Sequence, residues 1–240
     1  MKPISHTLKP STHPSPRYEI KIPLPEAMFY EVEAWVRLHP VHWRVAYPPR
    51  QVNNVYFDSA DFAGLNANLG SIPDRAKLRL RWYGPDLARV RGANLELKRK
   101  QGMAGWKEIV AVEGEFDLEA MTWPVMCAAL RDTSDLQARG WLDHFPYPVL
   151  VNHYWRAYYV TPDGVVRLTI DTALRAYDQR VSVRPNLRRA TSLDARGVVE
   201  LKAAMQPEAV RQLSDALMRF PVRVDRFSKY VQGMLAAPDF

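Results

Sequence analysis

The sequence predicts an α+β fold, with antiparallel strands closed into a β-barrel tunnel, a polar basic lumen and helices packed outside. Three observations carry this. Strand-like segments dominate, and helical ones fall between groups of them. Several strands alternate, with Arg, Lys and Glu on one face and Leu, Val and Ile on the other. The polar faces hold rows of cations with few acids among them.

The elements follow in chain order. Residues 1–16 hold four prolines among Ser, Thr and His, which predicts a disordered tail, and one domain over 17–240. Arg17–Lys21 reads as a first strand. Pro25–His39 reads as a helix, with Pro25 at its first turn and a stop at Pro40. Val52–Asp58, Arg75–Tyr83, Ala93–Lys100 and Trp106–Glu113 read as strands. Leu118–Leu142 is helical in outline and broken near Pro124. Val149–Thr161 and Val165–Arg175 form a hairpin around Asp163-Gly164, and Val198–Ala203 is a further strand. Pro207–Phe220 is an amphipathic helix with Val210, Leu213 and Leu217 on one face. Arg226–Ala236 is a terminal helix.

Composition sets the bounds. Apolar residues make up 47% and charged residues 25%, ordinary values for a globular protein. Thirty-three basic against 26 acidic residues leave +7, which favours an anionic partner. The single cysteine, Cys127, excludes a disulfide framework and a cysteine-rich metal site, and points to a reducing cytoplasm. No apolar run approaches the roughly 20 residues that span a bilayer. No phosphate-cradling glycine loop is present, so side chains must hold any phosphate.

The strands carry the chemistry. Along Arg75–Trp82, one face presents Arg75, Lys77, Arg79 and Arg81, and the other Ala76, Leu78, Leu80 and Trp82. Like charges on one face repel, so four unrelieved cations suggest either an anion expected between them or an exposed basic face that meets nucleic acid. Glu96, Lys98 and Lys100 align on another strand; so do Glu200 and Lys202, then Arg17, Glu19 and Lys21, then Arg167, Thr169 and Asp171. Closing these faces inward makes a basic lumen with a few carboxylates. Such a lumen suits a linear polyanion, with Lys and Arg on the phosphate oxygens and a carboxylate on Mg²⁺ or Mn²⁺.

The segments Arg17-Tyr-Glu-Ile-Lys21, Val55-Tyr-Phe-Asp58, Lys77-Leu-Arg-Leu-Arg-Trp-Tyr-Gly84, Leu95-Glu-Leu-Lys98, Trp106-Lys-Glu108, Tyr154-Trp-Arg156, Arg167-Leu-Thr-Ile-Asp-Thr172, Val199-Glu-Leu-Lys202 and Arg226-Phe-Ser-Lys-Tyr230 run in order along the chain. Together they resemble a VTC-type polyphosphate polymerase domain of the triphosphate tunnel metalloenzyme superfamily. The resemblance implies an antiparallel tunnel for a nucleoside triphosphate, ATP above all, and a growing polyphosphate chain. It implies that Arg79, Arg81, Lys98, Lys107, Arg156, Arg226 and Lys229 hold phosphates, that Ser228 donates to a phosphate oxygen, and that Tyr154 packs on the base. Lys77 and Lys202 add phosphate contacts, and either Arg17 or Lys21 supplies the basic residue of the first strand. Glu200 holds Mn²⁺ or Mg²⁺, with Glu19, Glu96 and Asp171 as further candidates. Position 17 is Arg, so the Glu-x-Glu-x-Lys of the hydrolytic branch is missing.

The expected reaction moves the γ-phosphoryl to the terminal phosphate of polyphosphate. That acceptor is already anionic, so positioning and charge stabilisation replace a strong general base. The alternatives are a triphosphate or short-polyphosphate hydrolase, a non-catalytic polyphosphate-binding module, and a nucleic-acid binder. The last ranks lowest, because Leu and Ala, not aromatics, separate the cations. A membrane partner could receive the product. The scattered histidines, the Arg184–Arg189 stretch, and Trp35, Trp43, Trp123 and Trp141 are assigned to surface or core.

Overall fold

The computed structural model describes residues 17–237 except 103, 219, 223, 224 and 226. Eight antiparallel strands form one sheet. In sheet order they are β1 (Arg17–Leu24), β10 (Gly197–Ala204), β9 (Arg167–Asp178), β8 (Tyr147–Val160), β2 (Arg44–Asp58), β3 (Asp74–Tyr83), β5 (Asn94–Gln101) and β6 (Ala104–Ala111). A short second pair joins β4 (Arg89–Val90) to β7 (Phe116–Asp117).

The sheet is strongly curled. In a flat sheet the six intervals from β1 to β5 would separate them by about 29 Å, at about 4.8 Å each. Yet Lys98 Nζ on β5 lies 2.9 Å from Glu19 Oε2 on β1. Among the described residues no backbone ladder joins β1 to β6, so side-chain ion pairs, not a closed hydrogen-bonded barrel, bridge the two ends of the sheet.

Alternation decides what each face carries. Ile22, Leu24, Leu168, Ile170, Val199 and Leu201 point to the convex side, under α1 (Phe29–Leu38) and α5 (Pro207–Ala216). Phe57, Leu78, Leu80, Trp82, Leu95 and Leu97 do the same under α3 (Trp123–Asp132) and α4 (Leu136–His144), which supply Met126, Leu130 and Trp141. Full burial of such a side chain contributes about 1.5–3 kcal/mol.

Two helices depart from the expected outside placement. The apolar residues Val52, Tyr56, Leu150 and Tyr154 pack with Leu65 of α2 (Ala63–Leu69) and with Tyr230 and Met234 of α6 (Lys229–Leu235). Tyr56 is in register with Arg79, and Val52 with Tyr154, so this cluster belongs to the concave face. The pair α2 and α6 therefore covers the concave face where β2 ends and β8 begins. Gly233 permits the contact, since a Cβ there would stand 2.6 Å from Leu150 Cδ2.

Other boundaries shift for local reasons. The Pro25–His39 segment divides into a 3₁₀ turn at Glu26–Met28 and α1. Pro124 lies in the first turn of α3 instead of interrupting a helix, and the break falls at Thr133–Asp135, where the Asp135 side chain accepts from Ala138 N at 2.8 Å. The strand at Val52 begins at Arg44, because its exposed first half pairs with β8 through register shifts around Pro48 and Pro49. The terminal helix starts at Lys229, capped by Ser228.

Candidate functional site

The cations converge on the concave face. On β3, Arg79 and Arg81 stand in register with Glu96 and Asn94 of β5. Glu96 is 3% exposed and receives Arg79 Nε at 2.7 Å and Nη2 at 2.5 Å, with Lys107 Nζ of β6 at 2.9 Å and Arg81 Nη1 at 3.8 Å. Burial alone would raise the Glu96 carboxyl; Arg79, Arg81 and Lys107 more than reverse that and hold it well below the usual range. Arg81 also donates from Nε to Asn54 Oδ1 at 2.8 Å and from Nη2 to the Tyr154 hydroxyl at 3.1 Å.

A second cluster lies on the same concave face. Asp171 of β9 is fully buried and accepts from Arg156 Nε at 2.6 Å and Nη2 at 2.8 Å. Lys229 Nζ, at the start of α6, shares Oδ2 with Arg156 Nη2, at 2.5 Å. Burial opposes the Asp171 charge, but Arg156 and Lys229 keep its carboxyl far down. Tyr154 lies between the clusters at 1% exposure, with Lys229 Nζ 4.6 Å and Arg156 Cζ 5.2 Å from its ring centre. Burial raises its phenol; Arg156, Arg81 and Lys229 overcome that and bring it down to about 8.

The third cluster joins β1, β10 and β5. Glu19 takes Lys98 Nζ at 2.9 Å, Lys202 Nζ at 3.7 Å and a close contact with Lys21. Glu200 has Lys202 at 3.1 Å, Lys21 at 3.3 Å and Arg156 at 3.6 Å. Desolvation and the neighbouring Lys98 depress Lys21 to about 7, although Glu19 pulls the other way. Lys77 is likewise down at about 7 through burial and the charges of Lys98, Arg75 and Arg79. Lys77 Nζ donates to Ser228 Oγ at 2.9 Å and has no carboxylate partner within ion-pair distance among the described residues. Ser228 Oγ also accepts from Val231 N, so its own proton stays free to donate outward.

Among the described residues the face thus gathers nine basic side chains (Lys21, Lys77, Arg79, Arg81, Lys98, Lys107, Arg156, Lys202 and Lys229) around four carboxylates (Glu19, Glu96, Asp171 and Glu200), an excess of five basic groups. Arg17 is exposed at the strand start, opposite Ala204, and forms no ion pair among the described residues. Arg226 lies outside the described residues. The sequence reading missed Asn54 and Tyr56, which share a face of β2 and hold Arg81 and Arg79, the latter with Nη1 3.3 Å from the Tyr56 hydroxyl. Polar residues two apart on an otherwise apolar strand were the available signal. It also missed Asp58, fully buried, which accepts from Gly64 N at 2.8 Å, Leu65 N at 2.9 Å and the Tyr230 hydroxyl, tying α2 and α6 to the end of β2.

For a divalent cation the donor chemistry fits at one carboxylate. Glu200 stands in register with Thr169, whose Oγ1 is buried without a hydrogen-bond partner, giving oxygen ligands of the kind Mg²⁺ and Mn²⁺ take. Among the described residues no three His, Cys, Asp or Glu side chains gather as a protein-only metal cage. A cation here would take its remaining ligands from phosphates and water. No helix among the described residues is long and apolar enough to cross a membrane.

Comparison with solved structures shows similarity to the PH1819 protein from Pyrococcus horikoshii OT3, at 14% identity over 91% of this chain and 98% of that one, with a TM-score of 0.48. A putative adenylate cyclase from Vibrio parahaemolyticus is similar at 11% identity over 93% and 99% of the two chains, with a TM-score of 0.47. Comparison with curated proteins gave no match. The VTC domain matches residues 16–237, nearly the whole chain, so the chain belongs to the VTC domain family.

Proposed function

We propose that the concave face is a tunnel that binds the triphosphate of ATP or another nucleoside triphosphate, and that the protein transfers its γ-phosphoryl to a growing polyphosphate chain. The observation that carries this is the excess of cations over carboxylates on one inward face. A folded chain that holds this much like charge is stabilised when a polyanion enters. Membership of the VTC domain family supports the same substrate class.

In this reading Arg79, Arg81, Lys98, Arg156 and Lys229 are the catalytic set. They grip the γ-phosphoryl and the acceptor phosphate and stabilise charge on the transferred group. Lys21, Lys77, Lys107 and Lys202 exchange carboxylate or hydroxyl partners for phosphate oxygens, and Arg17 and Arg226 extend the basic path. The Ser228 hydroxyl donates to a phosphate oxygen, freed by its acceptance of Lys77. Glu200, relieved of Lys21 and Lys202, would hold Mn²⁺ or Mg²⁺, with Glu19, Glu96 and Asp171 as supporting candidates, and the cation would neutralise phosphate charge. No strong general base is required, because the acceptor oxygen is already ionised. The setting is cytoplasmic, with a membrane partner as recipient of the chain.

The test is purified protein with ATP and Mn²⁺ or Mg²⁺, with and without a short polyphosphate primer, following ADP and chain length on gels. Chains with stoichiometric ADP, lost in Glu200→Ala, support the polymerase. Orthophosphate without chains would place the protein among hydrolases, and tight triphosphate binding without turnover would leave a binding module.

A further inference from the structure

We propose that the open end of the channel carries a stacking platform for the nucleobase, built from Arg50, Tyr83, Tyr158 and Tyr47; this rests on the nucleotide reading above. If the phosphates occupy the buried cations, the nucleoside must project outward, and a base needs an aromatic surface with a free face. Tyr154 does not offer one: its ring is 1% exposed and flanked by Lys229 and Arg156. The next residues outward do. Arg50 is in register with Arg156, one ladder position from the buried cluster, yet it is exposed.

The Arg50 guanidinium lies 3.9 Å over the Tyr83 ring and 5.3 Å from the Tyr158 ring centre, and its Nε donates to the Tyr158 hydroxyl at 3.0 Å. It forms no ion pair with a carboxylate among the described residues, in contrast to Arg79, Arg81 and Arg156. Tyr47 meets Tyr158 edge-on at 5.7 Å and is 64% exposed; Tyr83 is 38% exposed. A phosphate is gripped by in-plane guanidinium donors, and one of those is already committed to Tyr158. A guanidinium held over the Tyr83 ring and beside Tyr158 extends an exposed π surface, which suits a planar base. Tyr83 also borders an open surface hollow of about 490 Å³ with Gly84, Pro85, Asp86, Arg89 and Arg91. Arg89 and Arg91 are neutralised there by Asp117 at 3.2 Å and Glu115 at 2.8 Å, so that hollow is no competing phosphate site.

The experiment compares ATP with inorganic tripolyphosphate by titration calorimetry on wild type, Tyr47→Ala and Tyr83→Ala. Tyr47 is so exposed that its truncation leaves the fold intact, which keeps the test valid if Tyr83→Ala folds poorly. Loss of a stacking ring should weaken ATP about tenfold and leave tripolyphosphate within about twofold. Equal losses for both ligands, or unchanged ATP affinity in both variants, would overturn the platform. Wild type that binds neither ligand would instead overturn the triphosphate reading beneath it.

Discussion

Asp171→Asn is the most informative single change. Asp171 is fully buried and neutralises two cations that are themselves nearly buried, Arg156 and Lys229, whose side chains are 13% and 9% exposed. The amide keeps the shape and removes the charge. Breaking a buried pair costs about 3–5 kcal/mol. Glu200, 3.6 Å from Arg156, remains as partial compensation, so the lower end, about 3 kcal/mol, is expected. For a chain of this length that is a fall in Tm of about 6–12 °C. A bound polyanion supplies the missing negative charge. Tripolyphosphate should therefore raise Tm more in Asp171→Asn than in wild type, closing part of the gap. Differential scanning calorimetry across a tripolyphosphate titration reads both effects. An unchanged Tm without ligand, or equal ligand-induced shifts in both proteins, would refute the view that Asp171 stands in for phosphate.

Lys21 and Lys77, both held down near pH 7 chiefly by burial, make triphosphate binding pH-dependent: affinity should fall from pH 6 to pH 9, and binding at pH 7 should take up protons, read from calorimetry in buffers of different ionisation enthalpy. Their depressed folded-state values mean the unfolded chain binds more protons above about pH 7, so ligand-free stability attributable to these two groups should rise from about pH 7 toward pH 10 in urea denaturation. Gly233→Ala forces a Cβ within 2.6 Å of the buried Leu150 side chain, and should cost about 1–3 kcal/mol and weaken tripolyphosphate by shifting the helix that carries Lys229 and Ser228. Tyr230→Phe leaves the buried Asp58 with backbone donors and a long contact from the Ser59 hydroxyl at 3.4 Å, and should lower stability by about 1–3 kcal/mol in denaturant titration.

Much of the fold and of the candidate site was legible in the sequence because strand alternation is local. The sequence Arg75–Trp82 assigns Arg79 and Arg81 to one face and Leu78 and Leu80 to the other whatever the rest of the chain does. Glu19 with Lys21, Glu96 with Lys98 and Glu200 with Lys202 follow by the same rule. Elements without periodicity stayed hidden. The helix Ala63–Leu69 is short and opens from Phe62 at φ 55°, a left-handed residue that no pattern announces. The strand from Arg44 is exposed and crosses two prolines, so its first half lacks an apolar stripe.

Pairing between strands far apart in the sheet belongs to tertiary structure. Nothing local ties Lys98 to Glu19, 79 positions apart, or Lys229 to Asp171; the curl of the sheet and the seating of the last helix on its concave face make those contacts. The sequence by itself determined which side chains of a strand share a face, because a backbone of period two alternates them. Only the tertiary structure decided which cations are neutralised and which stand ready, because charge compensation depends on distances set by chain segments far apart in sequence.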